Sequence, residues 1–235
     1  MISKYDMSDE EYTLRVNKLK DMARDLHQIL PVLDYKLCVI KGNNVINTIE
    51  RISRSWNRNA YNMAVCIIHS SGLTTGTFGP GVLNLKNTAG TTVTSGYGSM
   101  RLYGSLESVY GYYGAISTLR GIVVGSSDAS ENFEGWSLGS IISSGTGSGQ
   151  LSYQESRNPT IAYNSGTREY TVTWSRYFNN NSSGNVTVKE IGLYAYVHAT
   201  TTAVMVARDT IVPSIVLEPS GQLYTEYNIR LVFPG

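Results

Sequence analysis

A polar turn cluster that leads directly into a long β-type segment constrains this chain more than any other feature. The cluster Asn179–Asn185 is rich in Asn, Ser and Gly, and Val186–Val197 follows it with β-branched and aromatic residues. A second apolar segment, Ala203–Asp209, comes after the short polar stretch 198–202. Two strands joined by a short polar loop predict an antiparallel hairpin.

Other segments of the chain support a β fold. Arg168–Phe178 and Thr225–Phe233 alternate apolar and polar residues with the period of two that is typical of half-buried strands. Leu119–Gly125 is a β-branched run closed by glycine, which predicts a strand followed by a turn. The residues predicted to face inward are Tyr170, Val172, Trp174, Phe178, Tyr227, Ile229, Leu231 and Phe233. The fold is therefore predicted to be mainly β: an antiparallel β-sandwich or jelly-roll-like domain with an N-terminal helical segment.

The composition of the chain changes near residue 70. Residues 1–69 hold 18 charged residues, 10 basic and 8 acidic, but a single glycine, Gly42, whereas the other 22 glycines follow residue 70. A charged, glycine-poor segment is typical of helices, whereas a glycine-rich segment is typical of strands joined by turns. Two regions are predicted: 1–69, a helical region for oligomerisation or docking, and 70–235, the β-sandwich domain.

A helix is expected to begin at Asp9, because Ser8 and Glu11 have the spacing of a capping box. The apolar residues that follow are spaced as a heptad seam, which Pro31 ends or kinks: Tyr12, Val16, Leu19, Ala23, Leu26, Leu30 and Leu33. Two interpretations stay open, an amphipathic helix that lies on its own domain and an oligomerising helix. Helical spacing also recurs at Val45, Ile49, Ile52 and Trp56, with Arg51, Arg54 and Arg58 on other, solvated faces.

The charge and cysteine content narrow the classes of partner. Nineteen basic and 18 acidic residues nearly cancel, so no electrostatic footprint for nucleic acid or an anionic membrane is expected. The N-terminus has no secretory signal, and the apolar run Met63–Ile68 is far shorter than a membrane span. Cys38 and Cys66 lack the spacing of a metal or disulfide motif, so both are predicted to be buried free thiols in a reducing cytoplasm.

One motif suggests an enzyme. Gly135–Gly139 reads GxSxG, the pattern of a hydrolase nucleophile elbow around Ser137. The later residues that would complete a triad in the expected order are Glu155, Glu169 or Glu190, followed by His198. An elbow needs a buried strand directly before the serine, and the acidic segment Glu131–Glu134 is not one. A serine hydrolase is thus a remote alternative.

Signals for a cofactor or metal are weak. Gly145–Gly149 lacks the Lys-Ser/Thr ending of a phosphate-binding loop, and His27, His69 and His198 lie in unlike contexts. We therefore expect no catalytic residue, no cofactor and no metal site.

Tyrosines stand among glycines in the middle of the chain, at Tyr110, Tyr112 and Tyr113. Tyrosines on permissive backbone are typical of a surface that contacts protein or sugar, but tyrosines packed inside a sandwich give the same pattern. Packing or subunit contact is favoured, because no acidic or amide pair flanks them to hold sugar hydroxyls. Binding of a host-surface glycan is kept as the alternative function.

An ordered set of short motifs between residues 119 and 235 resembles uncharacterised virion proteins of tailed bacteriophages. The set comprises Arg120–Gly125, Leu138 with Ile141 and Ile142, a Gly-rich loop that leads to Gln150–Tyr153, Arg176–Asn179, Val188–Tyr194 and Ala207–Asp209. The Glu-Ile-Gly-Leu-Tyr and Ala-Arg pair is similar to β-domains of tail-fibre, collar and baseplate components. The resemblance implies a non-enzymatic, homo-oligomeric part of the tail, neck or fibre attachment. Its partners would be itself and other virion proteins, and it would be assembled in the host cytoplasm and reside in the virion.

The hairpin register yields one specific contact. If 198–202 form the loop, Val197 pairs with Ala203 and Gly192 lies opposite Arg208, which puts Glu190 diagonally across from Arg208 on the same face. A partly buried Glu190–Arg208 ion pair that fixes the register is predicted. The apolar phase of the strand switches at Glu190, which predicts either a bulge there or a strand covered on both faces.

Overall fold

The computed structural model describes residues 7–62, 85–93, 116, 120–197 and 202–233. Strands make up most of this part of the chain, and one long helix precedes them. In chain order the elements are α1 Asp9–Asp25, β1 Leu30–Lys41, β2 Asn44–Ile52, β3 Leu85–Lys86, β4 Thr92–Val93, β5 Gly121–Gly125, β6 Ser152–Tyr153, β7 Thr160–Asn164, β8 Glu169–Asn179, β9 Val186–Val197, β10 Thr202–Leu217 and β11 Gln222–Val232.

The strands form two packed antiparallel sheets and a small ribbon. The six-stranded sheet has the order β2-β1-β11-β8-β6, and β7 pairs with β8 further along the same edge as β6. The three-stranded sheet has the order β10-β9-β5, and β3 pairs with β4. The predicted mainly β, antiparallel fold is confirmed, and its two facing sheets are those of a β-sandwich-like architecture.

One core lies between the two sheets. The six-stranded sheet contributes alternate residues of β1, β8 and β11, because side chains along a strand point to opposite faces in turn. The three-stranded sheet contributes both its central strand β9 and its neighbours. The buried side chains include Leu33, Tyr35, Leu37, Trp174, Phe178, Leu223, Tyr227, Ile122, Val124, Ile191, Leu193, Val204 and Met205.

Helix α1 forms a third layer on the outer face of the six-stranded sheet. Its N-cap is Ser8, whose hydroxyl accepts a hydrogen bond from the Glu11 amide at 3.2 Å, so the predicted cap and start are confirmed. Val16 packs against Val32 and Val232, which point away from the main core. On this side, α1 therefore lies on its own domain, as the first of the two interpretations predicts.

The helical predictions beyond Asp25 are wrong. Leu30, Pro31 and Leu33 belong to β1, and residues 45–52 belong to β2. β1 lies between β2 and β11 and draws its stability from pairing with a strand at the far end of the chain. β2 is an edge strand that is mostly exposed, so its apolar residues are not constrained to period two and their helical spacing was coincidental.

The change of composition near residue 70 does not coincide with a boundary between sheets. Residues 30–52 lie in one sheet with β8 and β11, so this sheet takes strands from both sides of the composition boundary. The apolar run Met63–Ile68 lies outside the described residues. Arg51 and Arg54 do not lie on a solvated helix face, because both pair with Asp9 at the start of α1.

The predicted inward face of β8 and β11 does face the core, but not all of its residues are buried. Trp174, Phe178 and Tyr227 are buried in the core. Tyr170 and Leu231 share that face, yet both are exposed, because they lie beyond the end of the core cluster near β7. This end of the sheet carries an uncovered aromatic surface.

Candidate functional site

The β9–β10 hairpin has the predicted register at the ion pair but not at the turn. Val197 pairs with Thr202, not with Ala203, so the predicted start of the register is wrong. A register shift between Met205 and Ala207 inserts Val206 as an extra residue, as in a β-bulge. The two offsets cancel, and Gly192 lies opposite Arg208 as predicted.

The Glu190–Arg208 ion pair is present. Arg208 Nε donates to Glu190 Oε2 at 2.7 Å, and the side chains are 9% and 0% exposed respectively. The pair is therefore almost fully buried, more so than the partial burial that we expected. A charge-assisted bond of this length in a water-excluded setting is short and strong.

Glu190 and Arg208 also bind the loop that follows β5, residues 126–140, which we name the 126–140 loop. The Glu190 carboxylate accepts hydrogen bonds from the amides of Ser127, Gly139 and Ser140 at 3.2, 3.0 and 2.8 Å. The Arg208 guanidinium donates to the carbonyls of Ala129 and Ser130 at 2.7 and 2.9 Å. Both side chains thus have partners for their polar atoms, which is the condition under which a buried ion pair is tolerated.

Glycine makes room for this arrangement. A Cβ added at Gly125, which pairs with Glu190 across β5 and β9, would lie 2.4 Å from Glu190 Oε1 and 2.6 Å from the Ser140 carbonyl oxygen. The glycine that closes the β5 run is therefore needed for the close approach of Glu190 and Ser140. Any larger residue there would push the carboxylate away from its amides.

Both explanations for the phase switch in β9 hold. The register shifts between Thr210 and Ile215, opposite the stretch from Val188 to Glu190, so the irregularity lies on β10. Residues 190–195 are also buried on both faces, because one face of β9 packs in the core and the 126–140 loop covers the other.

Asp209, the neighbour of Arg208, forms a second buried polar centre. One of its oxygens accepts from the Arg54 amide at 3.1 Å and the other accepts from the Tyr227 hydroxyl at 3.0 Å. The carboxyl lies beside a cavity of about 610 Å³ between the start of α1, β2, the 126–140 loop and β10. Glu131 lines the same cavity and accepts from the Thr210 amide and hydroxyl.

The surroundings of Asp209 favour its neutral form. Burial raises the pKa of the Asp209 carboxyl from its ordinary 3.8 to about 6, and the negative charge of nearby Glu131 acts in the same direction. Hydrogen bonds to the carboxylate from Ser53, Arg54 and Tyr227 oppose the shift. A carboxyl with a raised folded-state pKa contributes its full stability below the unfolded value, and that contribution is lost as the pH rises through the folded value.

Replacing Asp209 by asparagine is expected to remove this pH dependence. The amide keeps an acceptor for Arg54 and a polar partner for Tyr227 but carries no charge. Between about pH 4.5 and about pH 7.5, the parent should lose about 2 kcal/mol of unfolding free energy relative to Asp209→Asn. The measurement is urea unfolding of both proteins at the two pH values.

The control for this experiment is Asp128→Asn. Asp128 lines the same cavity, but its carboxylate is exposed and pairs with Lys189, which lowers its pKa. Asp128→Asn should therefore not gain stability relative to the parent as the pH rises. Equal pH dependence of the parent and Asp209→Asn would show that the pKa of the Asp209 carboxyl is not raised in the folded protein.

The hydrolase alternative finds no support in the surroundings of Ser137. The serine lies in the irregular 126–140 loop, with no strand directly before it, and its hydroxyl donates to the Leu138 carbonyl at 3.1 Å. Glu190 is bound to Arg208 and Glu169 to Lys20 and Arg24, while Glu155 is exposed. His198 lies outside the described residues, so the structure does not test the proposed triad as a whole.

Arg176 is a buried charge that the sequence analysis missed. Its guanidinium has no exposure and donates to the carbonyls of Gln154, Arg120 and Ile122 at 2.7 to 2.9 Å. The rings of Tyr153 and Phe178 lie 4.8 and 5.6 Å from it. The signal was available, because Arg176 occupies an inward position between Trp174 and Phe178 in the period-two pattern of β8.

The residues predicted for the oligomerising or docking helix are divided by the structure. Val16 and Ala23 are buried, Tyr12 is half-buried, and Leu30 belongs to β1. Leu19 and Leu26 are exposed, and Met22 lies between them at helical spacing. We name Leu19, Met22 and Leu26 the α1 flank; these three side chains are 50 to 63% exposed.

Some of the predicted features lie in residues that the structure does not describe. Tyr110, Tyr112 and Tyr113 lie outside the described residues. Cys38 is a buried free thiol as predicted, whereas Cys66 is not described. Within the described ranges, no three His, Cys, Asp or Glu side chains group as a metal site. In that same part of the chain, no helix has the length and apolar character to cross a membrane.

Comparison with known proteins returned no family model, no curated protein and no solved structure that matches the chain. Evidence on the function therefore comes from the residues and geometry of the chain.

Proposed function

We propose that the protein is a structural component of a bacteriophage particle, in the tail, neck or fibre attachment, that acts by symmetric self-association and by docking to other virion proteins. The observation that carries the proposal is the exposed α1 flank. The motif order between residues 119 and 235 supports the particle context, and the α1 flank supports the mode of action.

The α1 flank is an apolar surface on a helix that is already anchored. Val16 and Ala23 attach α1 to the six-stranded sheet. On the same, sheet-facing side of the helix, Lys20 and Arg24 pair with Glu169 of β8 at 3.3 and 3.2 Å. The helix therefore does not need Leu19, Met22 and Leu26 for its own attachment.

Exposed apolar stripes with polar rims mark contact surfaces in soluble proteins. On α1 the rim is formed by Arg15 and Lys18, which are exposed beside the stripe. The three apolar residues recur at intervals of three and four, so they form one continuous stripe along the helix. A second copy of α1 offers the matching stripe, as closed homo-oligomers require.

The buried polar groups of the domain suit a structural role. Glu190, Arg208 and Arg176 are bonded mainly to backbone groups of loops and strands, so they fix the shape of the domain. Asn180 does the same at the β8–β9 turn, where its amide donates to the carbonyls of Gly184 and Leu217. A rigid domain presents its contact surfaces in a fixed geometry, as repeated assembly requires.

The proposal predicts that charge on the α1 flank reduces the size of the assembly. Leu19→Lys combined with Leu26→Lys places two desolvated cations in the contact, while both positions are exposed in the single chain. Sedimentation equilibrium of the parent should give a multiple of 25.8 kDa, and the double variant should give a smaller species. Deleting residues 1–33 is a poorer test, because it removes the start of β1.

The matched control is Leu14→Lys combined with Asn17→Lys. These residues are also exposed on α1 but lie on its far side from the flank. The control should keep the parental mass, and circular dichroism should show all three proteins folded. If the flank variant keeps the parental mass, or if the control is equally disrupted, the α1 flank is not the self-association surface.

A further inference from the structure

Strand β7 is an open edge of the six-stranded sheet. Residues Thr160–Asn164 pair with β8, which is the strand neighbour of β7 among the described residues. All five residues of β7 are exposed, with Ile161 at 70% and Tyr163 at 53%. An edge of this kind presents backbone donors and acceptors that are ready to pair with another strand.

β7 lacks three of the devices by which proteins protect sheet edges: charge, proline and a bulge. It contains no charged residue and no proline, and its register with β8 runs without a bulge from Thr160–Thr173 to Asn164–Glu169. The opposite edge, β2, differs: Glu50 pairs with Lys36 and Arg51 pairs with Asp9. Of these two edges of the six-stranded sheet, β7 is the one without charged side chains.

An exposed aromatic surface continues from β7 into the sheet. The ring centroids of Tyr163 and Tyr170 lie 4.5 Å apart, and the ring centroid of Phe233 lies 5.5 Å from that of Tyr170. Tyr163, Tyr170 and Leu231 are cross-strand partners in the registers of β7, β8 and β11, so they share one face with Ile161. We name Ile161, Tyr163, Tyr170, Leu231 and Phe233 the β7 patch.

The sequence of β7 is complementary to itself. In an antiparallel pair of two β7 strands with the two-fold axis at Ala162, Ile161 of each copy lies opposite Tyr163 of the other. Aromatic and β-branched residues form favourable cross-strand pairs. Thr160 lies opposite Asn164 on the other face, and the small Ala162 meets itself at the axis. Neutral side chains face each other throughout, so no like charges oppose the pairing.

From these features we infer that β7 is a second self-association surface, at which two copies of the chain join their six-stranded sheets edge to edge around Ala162. Backbone hydrogen bonds supply the pairing, and the β7 patches of the two copies form one apolar surface across it. The occupant is a second copy, because the strand supplies its own complement and carries no charge that would select a foreign strand. This inference goes beyond the proposed function and does not require the α1 flank.

The test is disulfide crosslinking of Ala162→Cys in the full chain. Residues directly opposite in an antiparallel pair have Cα atoms about 4.5–5.5 Å apart, within the range of a disulfide. Oxidation with copper phenanthroline removes two electrons and two protons from the two thiols and forms the S–S bond. Non-reducing electrophoresis should show a dimer, formed on the order of a hundredfold faster than by chance encounter of dilute thiols.

Controls fix the register. Thr160→Cys is equally exposed, but its two copies would lie about 13 Å apart along the paired strands, too far for a disulfide. A mixture of Ile161→Cys and Tyr163→Cys should crosslink, while each of these two variants should do so poorly by itself. The parent, which carries Cys38 and Cys66, gives the background.

Each outcome decides between the alternatives. Dimer formation by Ala162→Cys above the parent and above Thr160→Cys supports the pairing, and Ala162→Lys should then lower the native mass because two cations meet at the axis. Equal crosslinking of all variants with one added cysteine, or none above the parent, would overturn it and would leave β7 free for another protein. Retention of the crosslink in the Leu19→Lys, Leu26→Lys background separates this contact from the α1 flank.

Discussion

Glu190→Ala is expected to lower the free energy of unfolding by about 3–5 kcal/mol, because it leaves the Arg208 guanidinium buried without its carboxylate. The substitution also removes the acceptor for three amides of the 126–140 loop. Buried donors that lose their partner bear the full cost of desolvation. Urea unfolding followed by tryptophan fluorescence measures the loss, and the near-ultraviolet circular dichroism of the folded variant should show a loosened loop.

Lys189→Ala is the matched control for Glu190→Ala. Lys189 is the preceding residue of β9 and pairs with Asp128 at 2.8 Å, but the two side chains are 37% and 80% exposed. An exposed pair of this kind contributes about 1 kcal/mol or less.

The combined variant Glu190→Ala with Arg208→Ala should cost less than the sum of the two single substitutions, because the two groups are coupled. Equal losses from Glu190→Ala and Lys189→Ala would refute a structural role for the buried pair.

Arg176→Ala is expected to cost about as much, on the order of 3–5 kcal/mol, although it has a different physical origin. The substitution empties a fully buried volume beside Tyr153 and Phe178. It also leaves the carbonyls of Gln154, Arg120 and Ile122 without this donor. Because these carbonyls belong to β5, to the residue before it and to the segment after β6, the loss should loosen the contact between the two sheets.

Arg157→Ala provides the comparison for Arg176→Ala. Arg157 is exposed and lies over the ring of Tyr177 at 5.8 Å, while its backbone amide bonds to Ser175. Removal of its side chain keeps the backbone contact and loses only an exposed cation–π contact of about 0.5–1 kcal/mol. If Arg176→Ala unfolds at the same urea concentration as Arg157→Ala, the buried guanidinium does not join the sheets in the way described.

Features encoded by neighbouring residues could be predicted from the sequence. The Ser8 cap depends on a residue three positions away, and the faces of β8 and β11 follow from period two. The Glu190–Arg208 pair follows from one hairpin, since both partners lie within 19 residues of the chain. Its predicted register was wrong at the turn, and the bulge at Val206 restored it by an offset that no local pattern shows.

Features that depend on distant parts of the chain were not predictable from local patterns. β1 is a strand because β11 pairs with it, and that pairing joins Leu30 to Val232. Asp209 is buried by Arg54 and Tyr227, which come from opposite ends of the chain. The helical spacing from Val45 to Trp56 had no competing signal, because an exposed edge strand needs no alternation.

The two proposed contact surfaces have different physical origins and are separable by substitution. The α1 flank is an apolar stripe on the outer face of the sheet, and the β7 patch is an aromatic edge at its end. A chain with two distinct self-contacts builds an assembly larger than a dimer. Combining Leu19→Lys and Leu26→Lys with Ala162→Lys should therefore be needed to reach a single chain.

The native mass of the purified parent chain, measured by sedimentation equilibrium over a range of concentrations, tests the proposed structural role most directly. We predict a defined multiple of 25.8 kDa that persists on dilution. A mass of 25.8 kDa at every concentration would contradict it, because a part that acts by symmetric self-association cannot be a monomer throughout.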